Sequence, residues 1–152
     1  MEQAVIAAFD LDGPLLRGQS GTLIVNYLWR RHLISLGTAL ACAWWGVRYK
    51  LHLPLRQNEV RERIYRALDH LSTRQIHDIM EDFHTRVMVP RYRPAGIAEL
   101  RRYEEEGVHV ALVSATFNQI AQAAMEYLGC DVALATVMER DAQGHFTGAV
   151  DG

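Results

Sequence analysis

A chain of 152 residues, 49% hydrophobic and 22% charged, is sized for one domain with a real core. Its net charge of -2 offers no basic field to nucleic acid, although the positive charge is almost all arginine and Lys50 is the only lysine. Cys42 and Cys130 stand alone, without CxxC or Cys/His ligand spacing; this argues against a disulfide framework or zinc site and for a reducing, cytoplasmic setting. Met1-Glu2-Gln3 lacks the basic start of a signal peptide, so no export signal is expected.

Ala4 to Phe9 is an unbroken apolar run, the pattern of a parallel strand covered on both faces, and Gly13-Pro14 argues against its continuing. Asp10 and Asp12 then fall just past the carboxyl end of that strand, the edge where open α/β sheets bind ligands. Two carboxylates at i and i+2 repel unless a cation or proton lies between them, which suits a hard metal such as Mg²⁺. One of them can attack phosphorus while the other moves protons. The alternative is that Asp-x-Asp-Gly only makes a turn or caps a helix.

After a loop at Gly18–Gly21, Leu23, Ile24, Tyr27 and Leu28 give a helical spacing over Thr22 to Leu33. Leu33 to Val47 carries no charge and is flanked by Arg30, Arg31, Arg48 and Lys50. It is shorter than the roughly 20 residues a spanning helix needs, so it is expected as a helix buried in a helical subdomain. In-plane membrane contact through Trp44 and Trp45 is the secondary reading.

Glu59 to Leu71 reads as an amphipathic helix with Asn58 as N-cap, and Ser72-Thr73-Arg74-Gln75 as a capping box opening another. Ile76, Ile79, Met80, Phe83 and Val87 mark the buried face of that next helix. Pro90 and Pro94 bracket a break, and Pro94 starts a helix ending near Gly107.

Val108 to Val113 is a second strand, ending at Ser114-Ala115-Thr116, and a helix from Phe117 runs to Leu128, stopped by Gly129. Short strands are expected at 132–134 and 135–138, with a last extended piece at 145–150. Ser114 repeats the logic of Asp10: a polar residue past an apolar strand and before a helix N-terminus, where hydroxyl and amides can donate to an anion. Alone it reads as an N-cap, but paired with Asp10 and Asp12 the functional reading overtakes that one.

Phe9-Asp10-Leu11-Asp12-Gly13 and Val113-Ser114-Ala115-Thr116 resemble motifs I and II of the haloacid dehalogenase-like superfamily. The match is to subfamily IB, which contains phosphoserine phosphatase-like hydrolases with a helical cap after motif I. Leu128-Gly129-Cys130-Asp131, Ala135 to Glu139, Thr147-Gly148 and Asp151-Gly152 are similar to the segments those proteins carry after motif II.

The resemblance implies an α/β fold: an incomplete Rossmannoid parallel sheet with an all-helical cap inserted after the first strand. Residues 1–20 and 90–152 would form the core and 21–89 the cap. It implies Asp10 as nucleophile and Mg²⁺ ligand, Asp12 as general acid/base with its backbone carbonyl on Mg²⁺, and Ser114 and Gly13 at the phosphate. The substrate would be a small phosphorylated metabolite or lipid headgroup.

Two departures matter: Pro14 stands where the family usually has Thr, and the sequence stops before the motif III lysine and the motif IV acidic pair. The expectation is a truncated version of the fold, read as a phosphatase or as a catalytically impaired binding module. Association with a second copy is a further expectation.

Elsewhere, His70, His77 and His84 are expected as solvated helix positions, with no ligand at i+4. Arg61, Arg63 and Arg66, with Arg56, are expected on a solvated face, with contact to an anionic substrate headgroup as the secondary reading, and Glu104-Glu105-Glu106 with Arg101 and Arg102 as surface ion pairs. Arg86, Arg91 and Arg93 are open between the same two readings, and Asn118, on the helix after Ser114, is a secondary candidate for approaching the phosphate.

Overall fold

The computed structural model describes residues 5–54, 59–143 and 146–151. Four strands lie side by side in chain order: β1 (Ile6–Asp10), β2 (His109–Phe117), β3 (Val132–Arg140) and β4 (Phe146–Asp151). The first three are parallel and β4 returns antiparallel on β3. Between β1 and β2 run α1 (Ser20–Arg30), α2 (Leu36–Lys50), α3 (Glu59–Leu68), α4 (Thr73–Phe83) and α5 (Pro94–Glu105), while α6 (Asn118–Leu128) crosses from β2 to β3. The expected α/β architecture is present.

Local chemistry sets several of these boundaries. Ser72 and Gln75 form the expected reciprocal capping box of α4, and Pro94 opens α5 at its first turn, where a missing N–H costs nothing. Gly129 ends α6 with a left-handed φ of 76°. After α4 the chain widens into a π-helical turn, His84–Met88, ahead of Pro90, whose ring and absent N–H prevent the regular ladder from continuing. The expected Asn58 cap and Arg56 lie outside the described residues.

Three expectations need correction. The two short strands expected after Gly129 are one strand, β3, and β2 continues through Ser114 to Phe117, with an irregular register against β3 between Val113 and Phe117. The uncharged segment is a helix, α2, but not a buried one: Cys42 is its only buried residue, while Leu36, Leu40, Trp44 and Val47 are exposed. The reason is positional. α1 and α3 meet α2 along one side, and a helix buries only the stripe that faces its neighbours.

The core lies on one face of the sheet. Val110 and Leu112 of β2 are fully buried there beneath α5 and α6, and Phe9 meets Tyr103 of α5 edge-on. The opposite face follows from the register, which aligns Ala8 with Ala111 and Val132, and Asp10 with Val113 and Leu134. Ile6, Val113, Val132 and Leu134 are exposed on it, whereas parallel sheets are normally covered on both sides. Asp82 ties α1 to α4 through Tyr27 Oη at 2.5 Å and Arg31 at 2.6 Å; the Tyr27 and Arg86 hydrogen bonds and the Arg31 charge hold its carboxyl below the usual range.

Candidate active site

β1 delivers Asp10 to the carboxyl end of the sheet, level with Val113 on β2. The chain then folds back tightly: Leu16 N donates to Leu11 O at 2.9 Å and Gly13 N to Leu16 O at 3.0 Å. Gly13 adopts a φ of +104°, where a Cβ would be strained. Leu11, Leu15 and Leu16 are fully buried, each contributing about 1.5–3 kcal/mol. They pin the loop from below, so Asp10 and Pro14 stay exposed and Asp12 and Gly13 half-buried.

The loop is also strapped to the segment entering α5, with Arg93 N donating to Leu15 O at 2.7 Å and Arg17 N to Arg91 O at 2.9 Å. Gly96 makes that approach feasible, since a Cβ there would run into the Pro14 carbonyl and sit 3.3 Å from Leu15 Cα.

Asp12 is held at both carboxylate oxygens by one residue. Ser20 N donates to Oδ1 at 2.9 Å and Ser20 Oγ to Oδ2 at 3.0 Å. Ser20 Oγ also lies 2.9 Å from Thr116 Oγ1. A hydroxyl has one proton, so with Ser20's committed to the carboxylate, Thr116 donates to Ser20. Thr116 N in turn donates to Ser114 Oγ at 3.2 Å, leaving the Ser114 hydroxyl able to donate to another group. A continuous chain thus links Asp12 on the first loop to Ser114 on β2.

Burial raises the Asp12 pKa above its ordinary value, the two Ser20 hydrogen bonds oppose that rise, and the negative charge of Asp10 reinforces it. An aspartate that holds its proton more tightly than usual is suited to giving it to a leaving group. The phosphate side is open as well: Phe117 precedes α6 as its N-cap without a capping side chain, so the first amides of the helix are not claimed by one. α6 begins at Asn118, four residues after Ser114, so helix end and serine are separate parts of the site.

The helices between β1 and α5 reach this edge through α3. Arg61 Nη2 donates to the Ala115 carbonyl, Tyr65 Oη donates to Gln119 Oε1 at 3.1 Å, and the Tyr65 ring meets Phe117 edge-on. Arg61 is half-buried and desolvation lowers its pKa, so the expected solvated position is corrected for this arginine. Arg63 and Arg66 do lie on the exposed face, 3.9 Å from Glu59 and Glu62.

His84 is also corrected: it is buried, its Nε2 is 2.8 Å from Tyr92 Oη, and its ring packs on Tyr127. His77 is exposed as expected, but Glu81 does stand at i+4, and with Asp78 the three offer ligand atoms within 4.8 Å of one another. Arg101 and Arg102 form the expected surface pairs with Glu104 and Glu106.

The structure therefore gathers Asp10, Asp12, Gly13 and Ser114 at one sheet edge. It adds Ser20 and Gly96, which no local pattern singled out, with Thr116 of the second motif and Arg61, whose expected place was a solvated face. Both side-chain oxygens of Asp12 already accept from Ser20, so the exposed Asp10 carboxylate is the one of the pair open to a hard cation.

A mainly parallel sheet with paired aspartates and a serine at its carboxyl edge defines an α/β protein with an acidic, hydrogen-bonded site at that edge. The sequence profile of the haloacid dehalogenase-like hydrolases matches residues 7–152, and the chain belongs to that family. No curated protein matched the sequence.

Solved structures share the fold. A protein of unknown function from Bordetella pertussis Tohama I superposes with a TM-score of 0.85 at 24% identity, over 99% of this chain and 68% of that one. A phosphoserine phosphatase captured as a phospho-aspartyl intermediate analogue gives 0.63 at 18% identity, over 99% and 64%. A family hydrolase from Salmonella enterica serovar Typhi gives 0.66 at 17%, over 99% and 46%. The chain thus spans about two thirds or less of the length of these relatives.

Proposed function

We propose that this chain carries the nucleophile of a Mg²⁺-dependent phosphomonoester hydrolase, with residues 21–89 as a cap over a core formed by 1–20 and 90–152. The observation that carries this reading is the hydrogen-bonded chain Asp12–Ser20–Thr116–Ser114, beside an exposed Asp10.

In this reading an Asp10 oxygen attacks phosphorus and forms an aspartyl-phosphate while the ester oxygen leaves. Asp12, whose hold on a proton burial strengthens, gives a proton to that oxygen and then takes one from the water that hydrolyses the acyl phosphate. Ser114 and the backbone at Gly13 hold phosphoryl oxygens. Mg²⁺, held by Asp10 and the Asp12 carbonyl, would offset the repulsion between the anionic nucleophile and the anionic ester. The substrate is a small phosphorylated compound in the cytoplasm.

The test is hydrolysis of an aryl phosphate with and without Mg²⁺, by this chain and by Asp10→Asn. Turnover that needs Mg²⁺ and falls roughly 10³-fold or more in the variant is expected. Equal turnover by the two proteins would refute the assignment.

A second reading is a phosphate-binding module without turnover. The open first amides of α6 and the Ser114 hydroxyl, which can hold an anion without a nucleophile, support it. Phosphate binding by folded, inactive protein would select it.

A further inference from the structure

The outward side of α2 is apolar without being covered, and its setting says what it meets. At about 100° per residue, Leu36, Leu40, Trp44 and Val47 fall within an arc of about 80°. All four are exposed, at 56%, 60%, 60% and 45%. Leu51, 62% exposed, continues the stripe just past the helix end. Arg48 and Lys50 flank the arc on either side, each about 40° beyond its edge. Their long stems suit an apolar surface with the charges held above it.

The charge pattern is one-sided well beyond the helix. No Asp or Glu occurs between Asp12 and Glu59, while Arg17, Arg30, Arg31, Arg48, Lys50 and Arg56 all fall there. Arg31 is committed to Asp82, but Arg30 and Lys50 at the two ends of the α1–α2 pair are exposed. A second copy of this face fits poorly, because both ends of the stripe are basic and either orientation of pairing would bring like charges together. An anionic bilayer surface fits on both counts, since it takes an apolar stripe with an indole in the interface and attracts the rim of cations.

We propose that the outward face of α2 docks in the plane of an anionic lipid surface, with Leu36, Leu40, Trp44 and Val47 entering the interface. No helix among the described residues is long and apolar enough to cross a membrane, so the contact is peripheral. α3, next to α2, carries Arg61 to the site, so docking would place the cap on the membrane and leave the sheet above it. The inference does not depend on catalysis.

The test is co-sedimentation of the 152-residue chain with phosphatidylcholine vesicles, with and without phosphatidylglycerol. Binding is expected only with the anionic lipid, and it weakens as salt is raised. Leu40→Asp should weaken it roughly tenfold or more and Lys50→Gln about fivefold, while circular dichroism of both variants stays that of the parent. Leu134→Asp, on the exposed sheet face, should leave it unchanged. Absence of binding to anionic vesicles would overturn the proposal. So would binding that Leu134→Asp abolishes and Leu40→Asp does not, or a dimer lost in Leu40→Asp without any vesicle binding.

Discussion

Ser20→Ala removes the hydroxyl that joins the first loop to the end of β2, and its cost can be worked from the two hydrogen bonds that hydroxyl makes. The bond from Ser20 Oγ to the Asp12 carboxylate at 3.0 Å disappears, and the buried Thr116 hydroxyl loses its acceptor at 2.9 Å. A hydrogen bond to a charged group contributes about 1.5–3 kcal/mol and a neutral one about 0.5–1.5 kcal/mol, so the variant should lose about 2–4 kcal/mol. For a domain of this size that is a fall in Tm of about 5–12 °C.

The Ser20 N–H still holds Oδ1, so the loop should keep its path. Because the lost bond favoured the ionised carboxylate, the Asp12 pKa rises further in the variant. The stability difference should therefore be largest near neutrality and shrink as pH falls through the raised pKa. Thermal melts of parent, Ser20→Ala, Asp12→Asn and the double variant close the cycle, with a coupling above about 0.5 kcal/mol expected. A Tm shift under about 2 °C, or additive single effects, would refute the network.

Gly96→Ala should cost about 1–3 kcal/mol in urea melts, because its Cβ runs into the Pro14 backbone carbonyl, which cannot swing aside as the neighbouring Leu15 side chain could. Any phosphatase activity should fall with it as the Asp12 loop shifts. His84 has a pKa lowered chiefly by burial, so the folded state binds fewer protons than the unfolded one below the ordinary value of 6.5. Its contribution is full above that pH and is lost as pH falls towards the folded pKa; the Tm of His84→Gln should vary less with pH over that window than the parent's. Arg61→Gln should weaken inhibition by inorganic phosphate about tenfold, measured by titration during aryl phosphate hydrolysis. Unchanged inhibition would leave Arg61 a structural tie between α3 and β2.

The elements most legible in the sequence were those with strong local chemistry. The capping box at Ser72, Pro94 at the start of α5 and Gly129 at the end of α6 all occur where short-range rules place them, because caps and left-handed positions depend on a few adjacent residues. Asp10, Asp12 and Ser114 could be singled out as candidates because they lie at the ends of apolar runs that read as strands, and Gly13 joined them through the resemblance of the first motif. Their meeting at one edge follows from parallel pairing, which sets Asp10 level with Val113.

What the local pattern could not decide was which faces are covered. An apolar helix reads the same whether both sides are packed or one is open, so α2 was expected buried, and only the placement of α1 and α3 left Leu40 and Trp44 exposed. His84 and Arg61 went the other way, since burial of a polar side chain depends on residues far off in the chain: Tyr92 and Tyr127 for one, the Ala115 carbonyl for the other. Ser20 is the clearest case. Alone it is an ordinary serine at the start of a helix, and it becomes the link between Asp12 and Thr116 only when residues 96 positions apart are brought within a hydrogen bond. Sequence by itself determined the end of the first strand, the caps at Ser72, Pro94 and Gly129 and the candidate acidic pair, because those depend on neighbours in the chain. Tertiary structure decided burial, proton affinity and the polar network, because those depend on neighbours in space.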